Sequence, residues 1–224
     1  RFDDPGLKAL EQLGIPCVIL GQVPGSNLPF VDIDNCAAAH MAVNHLIELG
    51  HTRIACITNA KLSYSSASQR LLGYRQALVD AGLDLDEALV READFDSTSG
   101  YAAMQDLLDS GCNFSAVFAG SDIVALGAMS AIHAAGLTIP GDISIVGFDD
   151  IPEAAHYYPG LTSVHVPANE IARQSCHLLM HLMKGDPLAS TSILLPTELI
   201  SRQSTCEIER SQKHRQGEKL VHFT

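Results

Sequence analysis

The chain has 224 residues, of which 46% are hydrophobic and 18% charged, so it can form one large domain or two smaller lobes. Its net charge of −12 argues against binding of nucleic acid or an anionic membrane by this segment alone. No apolar run is long enough to span a membrane, and the first residues lack the composition of a signal peptide. The six cysteines form no C-x-x-C pair, which favours a reducing compartment, so we expect a cytoplasmic protein.

Strand and helix signals alternate along most of the chain. After a short helix over 5–13, the pattern predicts strands at 15–20, 30–34, 53–58, 88–95, 116–119 and 143–148. Helices are predicted between the later strands, at 35–49, 69–81, 97–109 and 121–135. A helix over 167–184, a last strand over 193–200 and a flexible tail over 206–224 complete the chain. Such alternation is typical of an α/β protein with doubly wound parallel sheets.

The predicted strand over 143–148 ends in two carboxylates, Asp149 and Asp150. An open α/β sheet binds its ligands at the carboxyl ends of its parallel strands. Asp149 is therefore a candidate binding residue. Capping of the following segment is the alternative role for these acids, and it stays open above all for Asp150.

Polar and aromatic residues follow three other predicted strands. They are Tyr64, Ser66 and Arg70 after one strand, Phe95 at the end of the next, and Ser121 after a third. Right-handed crossovers return each strand in the same direction, so these residues should meet at one sheet edge. Together with a carboxylate they suit a neutral polyol, whose hydroxyls bind charged groups and whose apolar face packs on a ring. The alternatives are a surface helix position for Arg70, core packing for Phe95 and a helix cap for Ser121.

Several sequence pieces also occur in a fixed order. They are Ile-Pro-Cys-Val-Ile-Leu at 15–20, Val-Asp-Ile-Asp-Asn at 31–35, His-Leu-Ile-Glu-Leu-Gly-His-Thr-Arg-Ile-Ala at 45–55, Arg-Leu-Leu-Gly-Tyr-Arg-Gln-Ala-Leu at 70–78, Ser-Asp-Ile-Val-Ala-Leu-Gly-Ala-Met at 121–129, Val-Gly-Phe-Asp-Asp-Ile at 146–151, Tyr-Tyr-Pro-Gly-Leu-Thr-Ser-Val at 157–164 and Leu-Pro-Thr-Glu-Leu-Ile-Ser-Arg-Gln-Ser-Thr at 195–205. As an ordered set they resemble the lactose/galactose repressor (LacI/GalR) family, over about 15–205.

This resemblance implies a two-lobed, periplasmic-binding-protein-like (type I) fold and no enzymatic activity. It implies the effector-binding and dimerisation domain of a transcriptional regulator that senses a small molecule, a carbohydrate, as a homodimer. DNA would be bound by an amino-terminal helix-turn-helix that is absent from this chain. One lobe would hold 1–50 and 166–187, and the other 51–165 and 188–205. The element count predicts that the first lobe is incomplete and that the natural protein extends upstream.

The resemblance also assigns roles to individual residues. Arg70 and Asp149 match the effector-binding arginine and aspartate of the family, and Phe95 matches the aromatic residue that packs on the ligand. Ser121 stands where sugar-binding members usually have Asn, which removes an amide that both donates and accepts. Val166 stands where many members have Gln. Both departures leave the identity of the ligand open.

Two other classes of protein stay open. A sugar receptor of a transporter shares the fold but expects a signal peptide. A phosphatase would use Asp32 and Asp34 after an apolar run, although Cys36 stands where Thr or Val is expected. His177 and His181 have metal-ligand spacing but lack the acid of an H-E-x-x-H signature. We therefore expect neither a metal nor a cofactor.

Overall fold

The computed structural model describes residues 4–186 and 190–208, which form two β-sheets with helices around them. The smaller sheet has the parallel order β1-β2-β8, with β1 Ile19–Leu20, β2 Phe30–Ile33 and β8 Ser192–Leu195. The larger sheet has the order β4-β3-β5-β6-β7-β9, with β3 Ile54–Thr58, β4 Val90–Glu92, β5 Ala116–Ala119, β6 Ser144–Asp149, β7 Thr162–His165 and β9 Glu198–Ile200. Only β9 is antiparallel to its neighbour within this larger sheet.

Seven α-helices connect or cover these strands in the described part of the chain. They are α1 Pro5–Leu13, α2 Asn35–Glu48, α3 Ser65–Asp80, α4 Ser97–Asp109, α5 Asp122–Ala134, α6 Pro152–His156 and α7 Ala168–Lys184, with a 3-10 turn at Glu87–Leu89. Among the described helices, none is both long and apolar enough to cross a membrane. The predicted α/β class with parallel sheets is confirmed.

Three helices begin at short polar N-cap residues, of which only Ser121 was predicted as a cap from the sequence. Asp34 accepts a hydrogen bond from Ala37 N, Asp96 from Ser99 N, and Ser121 from Val124 N. These short polar side chains satisfy amide groups that have no partner within the helix.

Helix α3 begins at Ser65, four residues before the predicted start at residue 69. Tyr64 is its N-cap residue and makes no side-chain capping bond, so the sequence carries no cap signal at this point. The serines of the first turn also resemble a polar loop, because serine competes with the helix for backbone hydrogen bonds. Ser66 therefore lies in the first turn of α3 and not in a loop.

Helix α2 packs with the larger sheet, although residues up to 50 were assigned to the first lobe. Its buried Val43 and Leu46 share a core with Phe118 of β5 and Phe148 of β6. The second core lies between the opposite face of this sheet and helices α4 and α5. We therefore propose that the lobe boundary falls just before Asn35, where the chain leaves β2.

The segment predicted as one strand over 193–200 forms two strands in different sheets. Strand β8 pairs with β2, whereas β9 pairs with β7. Pro196 lies between them, and proline cannot donate to a ladder. The smaller sheet thereby gains a third strand from a region that was assigned entirely to the other lobe.

The predicted flexible tail begins later than residue 206. Cys206 N donates to Ser144 Oγ at 3.2 Å, and Ile208 N donates to Leu49 O at 3.0 Å. These bonds fix residues 206–208 to the larger sheet and to the end of α2. The remainder of the predicted tail, 209–224, lies outside the described residues.

Candidate functional site

The chain passes between the two sheets at three places: after β2, after β7 and between β8 and β9. Two clefts lie beside these crossings. The first, of about 530 Å³, is lined from both sheets by Gln22, Asp32, Asn35, Tyr64, Ser66 and Arg70, among others. The second, of about 670 Å³, is lined by residues that include Asp149, Asp150, Val166, Glu170 and Arg173. Ala168 lines both clefts.

Arg70 lies where these two clefts meet. Its Nη1 donates to Gly120 O at 2.6 Å and contacts Asp149 Oδ1 at 3.4 Å. Its Nε donates to Asn35 Oδ1 at 2.9 Å, and its guanidinium carbon stands 3.7 Å from the centre of the Phe148 ring. The structure thus brings Arg70 and Asp149 together and connects them to the first residue of α2.

Burial is the largest influence on the pKa values of Arg70, Asp149 and Asp32. It lowers the pKa of Arg70, while the carboxylates of Asp149 and Asp32 act in the opposite direction. Burial raises the pKa of Asp149 and of Asp32, and Arg70 partly offsets both shifts. One guanidinium therefore stands between two carboxylates from different sheets, where all three side chains have lost much of their hydration.

Tyr64 and Phe95 form an aromatic pair beside the first cleft. Their ring centroids are 4.9 Å apart, and the rings are nearly perpendicular. Phe95 is 49% exposed and has a φ of 59°, so it is not the core residue of the alternative interpretation. Tyr64 lines the first cleft, whereas Phe95 is not among the described residues that line either cleft.

The two predicted serine positions differ in their surroundings. Ser66 lines the first cleft, and its hydroxyl accepts a 3.4 Å hydrogen bond from Asn59 Nδ2. Ser121 is 7% exposed and caps α5, and it is not among the described lining residues. Its role as a helix cap is confirmed, and a role in binding stays a prediction.

Asp150 forms an ion pair with Arg202, contacts His165 and does not cap α6. Its carboxylate accepts from Arg202 Nη2 at 2.6 Å and lies 2.9 Å from His165 Nδ1. Arg202 also donates to Leu161 O at 2.7 Å. Asp150 thus links the carboxyl-terminal segment to β7, whereas Asp149 contacts Arg70.

The sequence analysis missed the wall that the smaller sheet contributes. Asp32 is 9% exposed and accepts from Asn35 Nδ2 at 3.1 Å, and Gln22 donates to the backbone of Ile33. Asp32 and Asn35 surround the end of a parallel strand, β2. The principle that identified Asp149 could have identified them too.

A family model described as "Periplasmic binding protein-like domain" matches residues 43–205 of the chain. With the two sheets and the clefts between them, this match defines the class of protein, and the chain belongs to the periplasmic binding protein-like family. Its relatives are transcriptional regulators, and the chain belongs more narrowly to the LacI family, as the sequence resemblance implies.

The chain is 39% identical to the HTH-type transcriptional regulator CelR of Thermobifida fusca over 90% of its own length and 60% of the relative. It is 41% identical to the HTH-type transcriptional repressor CytR of Escherichia coli (strain K12), over 87% of its length and 58% of the relative. The chain thus spans about 60% of the length of these curated relatives.

Two solved structures are similar over nearly the whole chain. A "transcriptional regulator CelR-cellobiose complex" superposes with a TM-score of 0.84 at 39% identity, covering 90% of this chain and 62% of the other. The transcription regulator CcpA of Lactococcus lactis superposes with a TM-score of 0.84 at 31% identity, covering 91% and 74%. The predicted two-lobed, periplasmic-binding-protein-like fold is therefore confirmed.

Proposed function

We propose that this chain is the effector-binding region of a transcriptional regulator and that its effector is a small, neutral carbohydrate. The observation that carries the proposal is the Arg70–Asp149 pair, 3.4 Å apart, at the junction of the two clefts. Sugar hydroxyls both donate and accept, so one hydroxyl can bind the carboxylate while a neighbouring hydroxyl accepts from the guanidinium. Tyr64, which lines the first cleft and packs against Phe95, supplies an aromatic ring on which a sugar ring would pack.

The effector would act by shifting a conformational equilibrium. Its contacts would extend to both sheets, from Gln22 and Asp32 on one side to Arg70 and Asp149 on the other. A ligand that binds one relative arrangement of the sheets more tightly raises the population of that arrangement. In the whole protein this shift would control operator binding by a helix-turn-helix module. We further propose a homodimer in the cytoplasm, because the relatives are transcriptional regulators.

Both the relatives and the chemistry of the site support a carbohydrate as the effector. The CelR structure is a complex with cellobiose, and another relative, 34% identical, is a ribose operon repressor. Cellobiose and ribose are therefore the first probes.

The phosphatase alternative finds little geometric support. Asp34 caps α2 through Ala37 N, and it is not among the described residues of the cleft that Asp32 lines. The side chains of Asp32 and Asp34 thus lie in different surroundings. A sugar receptor of a transporter shares the fold, and sugar binding alone would not distinguish it from a regulator. The relatives CelR and CytR, however, are transcriptional regulators.

The test is calorimetric titration of the protein with cellobiose and ribose. Arg70→Ala and Asp149→Ala should each weaken binding by about 2–4 kcal/mol, because each leaves a desolvated charge without its partner. Arg75→Ala is the matched control: it lies on the same helix and pairs with the exposed Glu87, far from either cleft. Near wild-type affinity for Arg70→Ala or Asp149→Ala would remove that residue from the site.

A further inference from the structure

Asp122 is a fully buried acid for which the binding site above has no use. It lies at the start of α5 with 0% exposure. Ser163 Oγ donates to its Oδ1 at 2.6 Å, and Ile151 N donates to its Oδ2 at 2.9 Å. A buried carboxylate is tolerated only where hydrogen bonds compensate for its lost hydration. The position of these donors therefore shows what the acid holds in place.

Both donors control the turn that follows β6. Ser163 Oγ also accepts from Asp150 N at 3.1 Å, so Asp122 holds two consecutive amides, one directly and one through Ser163. Asp149 and Asp150 have φ angles of 111° and 56°. Such values are strained for a residue with a side chain, and they persist only where the surroundings fix them.

Strand β6 is shaped around the same carboxylate. A Cβ atom on Gly147 would stand 2.2 Å from Asp122 Oδ1 and 2.8 Å from Leu161 Cδ2. Any other residue at this position would force the acid out of its place. The glycine, the serine and the aspartate thus form one unit that links α5, β6 and β7.

We propose that Asp122 is a positioning residue, which together with Ser163 holds the turn after β6 so that Asp149 faces Arg70. The inference rests on the proposed function, because it takes Asp149 to bind the effector. Asp122 itself is not among the described residues that line either cleft. Its effect on binding passes through the backbone of Asp150 and Ile151.

The test uses Asp122→Asn and Ser163→Ala in the whole protein at pH 8. Amide exchange of Ile151, followed by NMR, should become at least tenfold faster, and cellobiose affinity should fall roughly 10- to 50-fold. Asp142→Asn is the matched control, because its carboxylate also accepts from one backbone amide and one hydroxyl, both of Thr138. It should change neither quantity.

Introducing Asp122→Asn into the Asp149→Ala variant distinguishes positioning of Asp149 from a general structural effect of Asp122. There, Asp122→Asn should lower cellobiose affinity no further, because the residue through which it acts is gone. An equal loss in both backgrounds, or unchanged exchange at Ile151, would overturn the proposal. If the wild-type protein binds neither cellobiose nor ribose, the proposed choice of effector fails, and the exchange rates still decide whether Asp122 holds the turn.

Discussion

The Ser121 hydroxyl accepts from Val124 N and thereby caps α5 at the edge of the site. Ser121→Ala should lower the free energy of unfolding by about 1 kcal/mol, the usual effect of losing a cap. Cellobiose affinity should stay within twofold, because the hydroxyl is 7% exposed and is engaged by the helix. Urea denaturation and calorimetry measure the two effects. A tenfold loss of affinity without loss of stability would make Ser121 a ligand contact.

At the scale of single residues, the sequence predicts the side of the site that belongs to one sheet. Arg70 and Asp149 follow strands of the same parallel sheet, whose topology brings their loops to one edge. Asp32 lies on the opposite wall, in β2 of the smaller sheet. Its position relative to Arg70 depends on how the two sheets face each other, and no pattern in the sequence encodes that arrangement.

Asp122 also escapes prediction, for another reason. In the sequence it is one more acid in the first turn of a helix, where a carboxylate normally stabilises the helix from the surface. Its burial depends on Gly147 of β6 and Ser163 of β7. Only the packed structure reveals that three elements meet at this carboxylate.

At the scale of elements, Asp122 couples the packing of α5, β6 and β7 to pH. Burial raises the pKa of its carboxyl to about 7; the hydrogen bonds from Ser163 and Ile151 oppose this shift, and the nearby Asp149 and Asp150 add to it. The unfolded chain has a value near 3.9. Between these values the folded state holds a proton that the unfolded state has lost, so this group's contribution to stability falls as pH rises.

The variant Asp122→Asn isolates this contribution, because it keeps the other titrating groups, including the buried His51. The free energy of unfolding of the wild-type protein, minus that of the variant, should decrease from pH 5 to pH 7. The slope should approach 1.4 kcal/mol per pH unit, the value for one proton. Above about pH 8 the difference should be constant. Urea titrations at five pH values measure it, and a flat difference from pH 5 to 7 would contradict the assignment.

Element positions were predicted well where a cap or a glycine marks them and poorly where neither does. Helices α2, α4 and α5 start within one residue of their predicted positions, since Asp34, Asp96 and Ser121 cap them. The start of α3 was placed late because Tyr64 offers no capping bond. The division of 193–200 between two sheets is a tertiary effect, which the single Pro196 marks only as an interruption.

At the scale of the whole molecule, the two sheets differ in how much they bury. Helix α2 buries five residues in the core of the larger sheet, including Val43 and Leu46. Helix α1 buries none, and α7 buries only Ser175 and Leu178. Local stability follows buried contacts, so the elements around the smaller sheet should open at a lower free energy than those around the larger one.

Hydrogen exchange measured by mass spectrometry tests this difference and the lobe boundary together. Peptides from α2 should exchange as slowly as peptides from α3, because both helices pack on the same face of the larger sheet. Peptides from α1, β1 and α7 should exchange at least tenfold faster. A boundary at residue 50 instead predicts that α2 exchanges together with α1. Slow, uniform exchange in all five elements would show that the smaller sheet is as stable as the larger one, against the burial of its helices.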